Sequence, residues 1–269
     1  MRVIEEAAVL EHVEFGGGYR RIVFHAPRIA AASAPGQFVH VRLLQMSAEA
    51  LRRPFSIYRA HAPEVHLMYK PVGRGTQFLM HAAAGERFSL IGPLGHGFPM
   101  DATETHPVLV AGGYGVAPLS FLAARLGRTG TVFIGGRTGQ DILCVEDFVR
   151  LGWDVRVATE DGSSGSKGLV TVALDAWLAA RPAHPHPEIY ACGPEGLMQA
   201  LGERAARLDC RAWLSLDRPM GCGIGACLAC VQRVRGADGK TTWARCCTEG
   251  PVFAAKELVW EPFVGAKKA

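Results

Sequence analysis

Met220-Gly221-Cys222-Gly223-Ile224-Gly225-Ala226-Cys227, followed by Cys230 and, after sixteen intervening residues, by Cys247, is the stretch that decides how this chain is read. The spacing C-x4-C-x2-C with a distant fourth cysteine is the plant-type pattern for a [2Fe–2S] cluster, in which four thiolates hold two irons. Gly221, Gly223 and Gly225 let the backbone wrap closely round such a core and aim unhindered N–H groups at its sulfurs. Structural zinc sites join two short-spaced pairs, whereas here three thiols crowd one loop and the fourth stands alone. Zinc is therefore the weaker reading. A disulfide framework is weaker still, because a chain of 269 residues buries a core without staples. Spacing alone does not choose between the adjacent Cys246 and Cys247. A cluster of this kind moves one electron at a time, so the loop predicts an electron-transfer protein.

The rest of the composition narrows the setting. Hydrophobic residues make up 49% and charged residues 20% of the chain, ordinary for a globular protein with room for two compact domains and a small appendage. No apolar run approaches the roughly 18–20 residues that span a bilayer, so no membrane is expected. The start, Met1-Arg2-Val3-Ile4-Glu5-Glu6, lacks the basic and apolar regions of a signal peptide. Eight cysteines without secretion point to reduced thiols in a cytoplasm. A net charge of +4 with no run of Lys or Arg argues against nucleic acid as a partner, and Lys267 and Lys268 read as a solvated tail.

Outward from the cysteines, two patterns alternate in sequence. Over the first hundred or so residues, short alternating runs (Tyr19–His25, Gln37–Leu44, Glu64–Lys70) are separated by turn-rich stretches such as Gly16-Gly17-Gly18 and Ala34-Pro35-Gly36. They predict a small antiparallel barrel, interrupted by a helix that starts near Gly75-Thr76 and carries Phe78 and Leu79. From about His106 strand and helix alternate. Val108–Ala111, Thr131–Ile134, Val155–Ala158 and Glu188–Ala191 read as strands, while Leu119, Leu122, Ala123 and Leu126, then Leu197, Leu201, Ala205 and Leu208, recur at helical spacing. Such alternation predicts an α/β domain with a parallel sheet, whose ligands sit at the carboxyl ends of the strands. After Leu216 the alternation stops.

Four further motifs carry chemistry. Arg53-Pro54-Phe55-Ser56, preceded by Arg52, offers a guanidinium fork for phosphate, a ring to cover a flat cofactor and a hydroxyl to bond a heteroatom. Gly73-Arg74-Gly75-Thr76 is a turn into a helix, whose first N–H groups suit phosphate. Either alone is as readily a strand edge or an N-cap; together on one barrel they point to a pyrophosphate-bearing flavin. Ala111-Gly112-Gly113-Tyr114-Gly115-Val116-Ala117-Pro118 follows a strand like a dinucleotide fingerprint but puts Pro118 where the third glycine would stand, a residue tolerated in a first helical turn. Cys192-Gly193-Pro194-Glu195 ends a strand and opens a helix, placing Cys192 at the ligand-bearing edge, although a lone buried cysteine is more often a small hydrophobe.

In this order the motifs resemble those of the ferredoxin–NADP reductase superfamily. With the cysteine loop the chain looks like the electron-transfer subunits of class 1B dihydroorotate dehydrogenase. The resemblance covers nearly the whole chain and is most specific over Leu51–Ile57, Arg218–Cys227 and Cys247-Thr248-Glu249-Gly250-Pro251-Val252-Phe253. It implies an FAD-binding barrel (1–101), an NAD-binding α/β domain (102–214) and a small [2Fe–2S] domain (215–269). It implies FAD contacts from Arg53, Pro54, Phe55 and Ser56, from Met68, Tyr69 and Lys70, and from Gly75 and Thr76. It implies nicotinamide-nucleotide contacts from Gly112, Gly113, Gly115, Cys192, Gly193 and Pro194, with Ser56 and Cys192 nearest the chemistry. Placing the last ligand three residues before the Gly of Gly-Pro-Val-Phe, it selects Cys247, with Cys222, Cys227 and Cys230 as the other three. Relatives usually carry a small aliphatic residue at Tyr114. Glu160 and Asp161, within Thr159-Glu160-Asp161-Gly162-Ser163, favour NADH, because acids bond a ribose diol and repel a 2′-phosphate; Arg137, after another strand, would speak for NADPH.

The function so implied is an oxidoreductase subunit of pyrimidine biosynthesis, passing electrons between a partner dehydrogenase and NAD through FAD and the cluster. The partner would be an FMN-containing catalytic subunit, joined in a heterotetramer, since nothing in this chain looks able to oxidise dihydroorotate. The same relay could serve another complex, as the NAD(P)H-linked reductase of a hydrogenase, of a sulfide or NADPH–ferredoxin oxidoreductase, or of an uncharacterised dehydrogenase. Relatives of the ferredoxin–NADP transhydrogenase kind commonly use an aspartate as one cluster ligand, where this loop has four cysteines. A sensing module that binds the same cofactors without turnover is a third reading, which dye reduction by NADH would exclude.

Overall fold

The computed structural model describes residues 2–43, 51–101, 104–180 and 185–260. Leu44, Lys267 and Lys268 lie outside them. Strands β1 (Val3–Gly16), β2 (Tyr19–His25), β3 (Phe38–Val41), β4 (Arg53–His61), β5 (Glu64–Tyr69) and β6 (Arg87–Leu94) close an antiparallel barrel in the order β1-β2-β5-β4-β3-β6. Alternate residues such as Ile22, Phe24, Ile57, Val65 and Leu67 point inward and are buried, the period-two logic of a sheet with one face in a core. Helix α1 (Pro27–Ala32) buries Ile29 against the barrel, and α2 (Arg74–Leu79) buries Leu79.

β3 is shorter than its alternation predicts. Gln37 belongs to the preceding turn, donating its amide to the Ala34 carbonyl and its side chain to the Gly95 carbonyl. β5 likewise stops at Tyr69, because Lys70 leaves the strand to reach Asp141.

The second layer is a seven-stranded sheet of β7 (His106–Gly112), β8 (Thr131–Gly136), β9 (Asp154–Thr159), β10 (Ser166–Lys167), β11 (Pro187–Cys192), β12 (Ala212–Ser215) and, later in the chain, β15 (Val252–Ala254). The order is β10-β9-β8-β7-β11-β12-β15, parallel except for the β12–β15 pair. Its inner strands are continuous apolar runs, Val108 to Ala111 and Val132 to Ile134, because both faces are covered by helices. These are α3 (Val116–Arg125), α4 (Val145–Arg150), α5 (Val170–Ala180) and α6 (Glu195–Leu208). Between β12 and β15 the chain leaves the sheet for the cysteine loop and a hairpin of β13 (Val231–Arg235) and β14 (Thr241–Arg245).

Barrel and sheet are locked together. Phe121 of α3 sits in the barrel's apolar cluster, and Asp147 of α4 pairs with Arg59 and accepts a hydrogen bond from the Tyr58 hydroxyl, both on β4. Among the described residues no helix is long and apolar enough to cross a membrane.

Candidate functional site

A cleft of about 180 Å³ lies where the barrel meets the sheet. Pro54, Phe55 and Ser56 reach it from β4, Met68, Tyr69 and Lys70 from the end of β5, and Thr76 from α2. Gly115 and Cys192 line it from the sheet, with Ser215, Asp217 and Met220 from the chain leading into the cysteine loop. Phe55 is buried and packs edge-on against Tyr69, whose hydroxyl lies 3.0 Å from His12 Nε2. Two rings and a thioether thus give the cleft an apolar floor suited to a flat heterocycle.

The guanidinium of Arg53 crosses the start of α2: a Cβ on Gly75 would stand 2.9 Å from its Nε. Arg53 also donates to the Leu51 carbonyl. Arg52 turns the other way, donating to the carbonyl and hydroxyl of Ser89 on β6, so it braces the barrel wall. Thr76 Oγ1 accepts from the amides of Val72 and Gly73 and caps its own helix. Lys70 is paired with Asp141 at 3.2 Å and lies over the Tyr19 ring. Against the opposing effect of burial, hydrogen bonds from Lys70, Tyr19 and the Thr138 amide hold the Asp141 carboxyl below its usual range.

The sheet reverses direction of growth at β7, with β8 on one side and β11 on the other. That switch point is where open parallel sheets open a crevice for ligands. The turn Gly113–Gly115 passes so close to the end of β11 that a Cβ on Gly115 would meet the Cys192 carbonyl oxygen at 2.2 Å. Only glycine fits there. Burial pushes the Cys192 thiol up to about 12, so it faces the cleft as a neutral S–H and not as a thiolate. A second cleft of about 260 Å³ gathers Gly112, Glu160 and Pro194 at the same edge.

Asp161 is not in that lining. Its carboxylate accepts from the amide and hydroxyl of Ser163, 2.9 and 2.6 Å away. Gly113 lies beside Tyr19, and Gly193 packs against Gly112. The Asp161 amide donates to the Arg137 carbonyl, which puts Arg137 on the strand end next to the acidic pair.

In the cysteine loop, the amides of Ile224, Ala226 and Cys227 point at Cys222 Sγ from 3.2–3.4 Å. The Cys222 amide points at Cys227 Sγ and the Cys247 amide at Cys230 Sγ. Although burial acts to raise it, those three amides bring the Cys222 thiol down to about 6. Backbone donors aimed at sulfur are what a thiolate-held cluster requires, so the loop fits one. Burial, then the neighbouring Cys230, raises both Cys246 and Cys247. Both are buried in the same apolar cluster as Cys230, and Cys247 also feels Cys222 and the Gly225 backbone.

Three participants were missed in the sequence. His40, on β3, is fully buried, and neither ring nitrogen has a hydrogen-bond partner among the described residues. A Cβ on Gly223 would stand 2.8 Å from its ring, so the barrel touches the cysteine loop through this imidazole. Burial, then Arg52 and Arg53, lowers it to about 4 and keeps it neutral. Asp217 accepts a 2.9 Å hydrogen bond from the half-exposed Tyr114 hydroxyl, tying the nucleotide turn to the segment before the loop. Asp141 is the third. None lies in a motif: the fold alone brings Asp217 to the cleft, His40 against the cysteine loop and Asp141 to Lys70.

Comparison with known proteins agrees with this layout. Residues 217–259 match the family described as the iron–sulfur cluster binding domain of dihydroorotate dehydrogenase B, and residues 109–203 match the oxidoreductase NAD-binding domain. A Desulforamulus reducens protein called dihydroorotate dehydrogenase B (NAD(+)), electron transfer subunit, is 38% identical over 243 residues, 88% of this chain and 91% of its own length. A protein of the same name from a Geobacillus species is 37% identical over 262 residues, 95% of this chain and 98% of its own. Among solved structures, an NADH-dependent reduced ferredoxin–NADP oxidoreductase superposes with a TM-score of 0.81 at 27% identity, covering 95% of this chain and 90% of the other. The FAD/NAD-binding domain of a Vibrio cholerae nitric oxide dioxygenase, at 18% identity and a TM-score of 0.66 over 76% of this chain and 93% of its own, shares the fold alone.

Proposed function

The chain belongs to the family of dihydroorotate dehydrogenase B electron transfer subunits, and from that premise we propose that it passes electrons between a catalytic partner subunit and NAD. The observation that carries the reading is the alignment, in one molecule, of a nucleotide edge, an aromatic-floored cleft and a cysteine loop. When bound, FAD exchanges two electrons with NAD(H) as hydride and single electrons with the [2Fe–2S] cluster. The protein's part is placement. Phe55, Met68 and Tyr69 would seat the flavin ring, with Pro54, Ser56 and Lys70 at its rim, and Arg53, Gly75 and Thr76 at its pyrophosphate. Gly112, Gly113, Gly115, Gly193 and Pro194 would admit the nicotinamide nucleotide to the switch point, where Cys192 and Ser56 both line the cleft. Glu160 would meet the adenosine ribose and favour NADH. Cys222, Cys227, Cys230 and Cys247 would hold the irons.

We divide the chain into an FAD barrel (1–101), an NAD domain (102–214) and a cluster unit (215–269), the last docked through β15. The partner reading supposes an FMN-bearing dehydrogenase in a cytoplasmic heterotetramer that serves pyrimidine biosynthesis. Cys227 is exposed, and beside it Ile224 and Leu228 are 48% and 59% exposed, an apolar rim where a partner would meet the cluster. Ile224→Glu with Leu228→Glu should leave NADH-driven dye reduction unchanged while abolishing co-purification with the catalytic subunit. If dye reduction by NADH is absent in the loaded wild type, the electron-transfer reading itself fails. Mass spectrometry of the released flavin should find FAD. Arg53→Ala should weaken its retention by the equivalent of roughly 1.5–3 kcal/mol, a charge-assisted contact.

A second reading keeps the relay and changes the partner to a ferredoxin–NADP system. The 27% identity to that structural neighbour favours it less than the 38% identity to the dihydroorotate relatives.

A further inference from the structure

The turn end of the β4–β5 hairpin, His61 to His66, lies outside the linings of both cofactor clefts, which the far ends of the same strands reach. Its turn is only Ala62-Pro63, so His61 and Glu64 are direct cross-strand partners. Direct partners on antiparallel strands project from the same face, and Glu64 and His66, two residues apart, share that face through the pleat. Three donors therefore converge on one short stretch of sheet. One ligand atom from each lies within 4.8 Å of the others. His66 Nε2 is 2.9 Å from Glu64 Oε2, and His61 Nε2 is 3.6 Å from the same oxygen. A tetrahedral ion with metal–ligand bonds of about 2.05 Å sets its donors about 3.3 Å apart. The two measured separations bracket that value.

The donors are also held. The His66 side chain is 9% exposed, and its Nδ1 has no hydrogen-bond partner among the described residues, so Glu64 alone meets the ring's polar edge. The other face of the hairpin, with Ile57, Val65 and Leu67 fully buried, is part of the barrel core. Little side-chain ordering would be needed on binding. His61 is 61% exposed and leaves one side open to water.

We propose that His61, Glu64 and His66 form a site for a divalent first-row transition ion that fastens the β4–β5 turn. Two imidazoles and one carboxylate suit zinc and its neighbours, whereas magnesium and calcium prefer all-oxygen shells. No electron passes through the site. It is separate from the cysteine loop, and it stands whether or not the proposed partner is right.

The test uses the cofactor-loaded protein, with iron and flavin measured before and after equilibrium dialysis against micromolar Zn²⁺. One zinc per chain should be taken up with iron content unchanged, and melting should move to higher temperature. His61→Ala and Glu64→Gln should each weaken uptake at least about tenfold while NADH-driven dye reduction stays at the wild-type rate, which shows that both variants fold. Absence of stoichiometric uptake by the wild type overturns the proposal. So does uptake that both variants retain in full, which would put the zinc on thiols instead.

Discussion

Cys246 and Cys247 are the residues between which sequence spacing does not choose. Both are buried in one apolar cluster; the Cys247 amide points at Cys230 Sγ and the Cys246 amide donates to the Cys230 carbonyl, and the family resemblance selects Cys247. Cys247→Ser should therefore lose the cluster, measured as iron content and as the low-temperature EPR signal after dithionite. Cys246→Ser should keep both and melt earlier, because a hydroxyl without a partner in an apolar site costs about 1–3 kcal/mol. Bleaching of the Cys246→Ser protein would reverse the assignment. Glu160 and Asp161 differ in their surroundings. Asp161 is spent on Ser163, and Glu160 lines the cleft. Glu160→Gln alone should remove most of the NADH preference, seen as a fall in the NADH-to-NADPH ratio of kcat/KM in dye reduction. If only Asp161→Asn moves that ratio, the ribose sits on the other side of the loop.

At the scale of elements, the sequence shows those that carry period. β2 is bounded at Tyr19 and His25 as its alternation indicates, and α6 presents Leu201 and Ala205 to the core at helical spacing. β15 has no such signal, because Val252-Phe253-Ala254 is too short to show a period. The aromatic floor was legible in part: Phe55 announced itself beside Arg53, but its packing on Tyr69 depends on a barrel register that no local pattern encodes. His40 was hidden for the opposite reason, since Phe38-Val39-His40-Val41 reads as an ordinary strand and all four residues are buried. The Tyr19–Asp141–Lys70 link between β2, the segment after β8 and the end of β5 is likewise a product of docking. Because Asp141 has its folded pKa depressed, the stability it gives is present above the unfolded value near 3.9 and is lost as pH falls through the folded one. Urea midpoints of the wild type and Asp141→Asn should differ at about pH 6 and converge only as pH falls below the depressed folded value. A gap that persists in acid would show that the carboxylate's charge contributes nothing.

For the molecule as a whole, three supports meet at one place. The barrel supplies the cleft floor, the sheet supplies its switch point, and the excursion between β12 and β15 supplies Asp217, Met220 and the cysteines. His40 against Gly223 and the Tyr114–Asp217 hydrogen bond then join each support to the next. Electron transfer needs fixed separations, and a site built from three mutually braced parts holds them without relying on any one loop.

The pairing of β15 with β12 also sets an order of events during synthesis. The ribosome finishes the barrel, then every parallel strand of the sheet, and then all four candidate cluster cysteines, before Val252–Ala254 exists to cover β12. Until then the sheet presents an open edge of unpaired backbone, the form in which nascent chains recruit one another. A chain halted after Gly250 would own the thiols of the finished protein and still emerge with that edge bare. It should collect in inclusion bodies, whereas a chain carried on through Trp260 should stay in the supernatant. The last short strand thus closes, after every other element has been made, the edge that β12 leaves open.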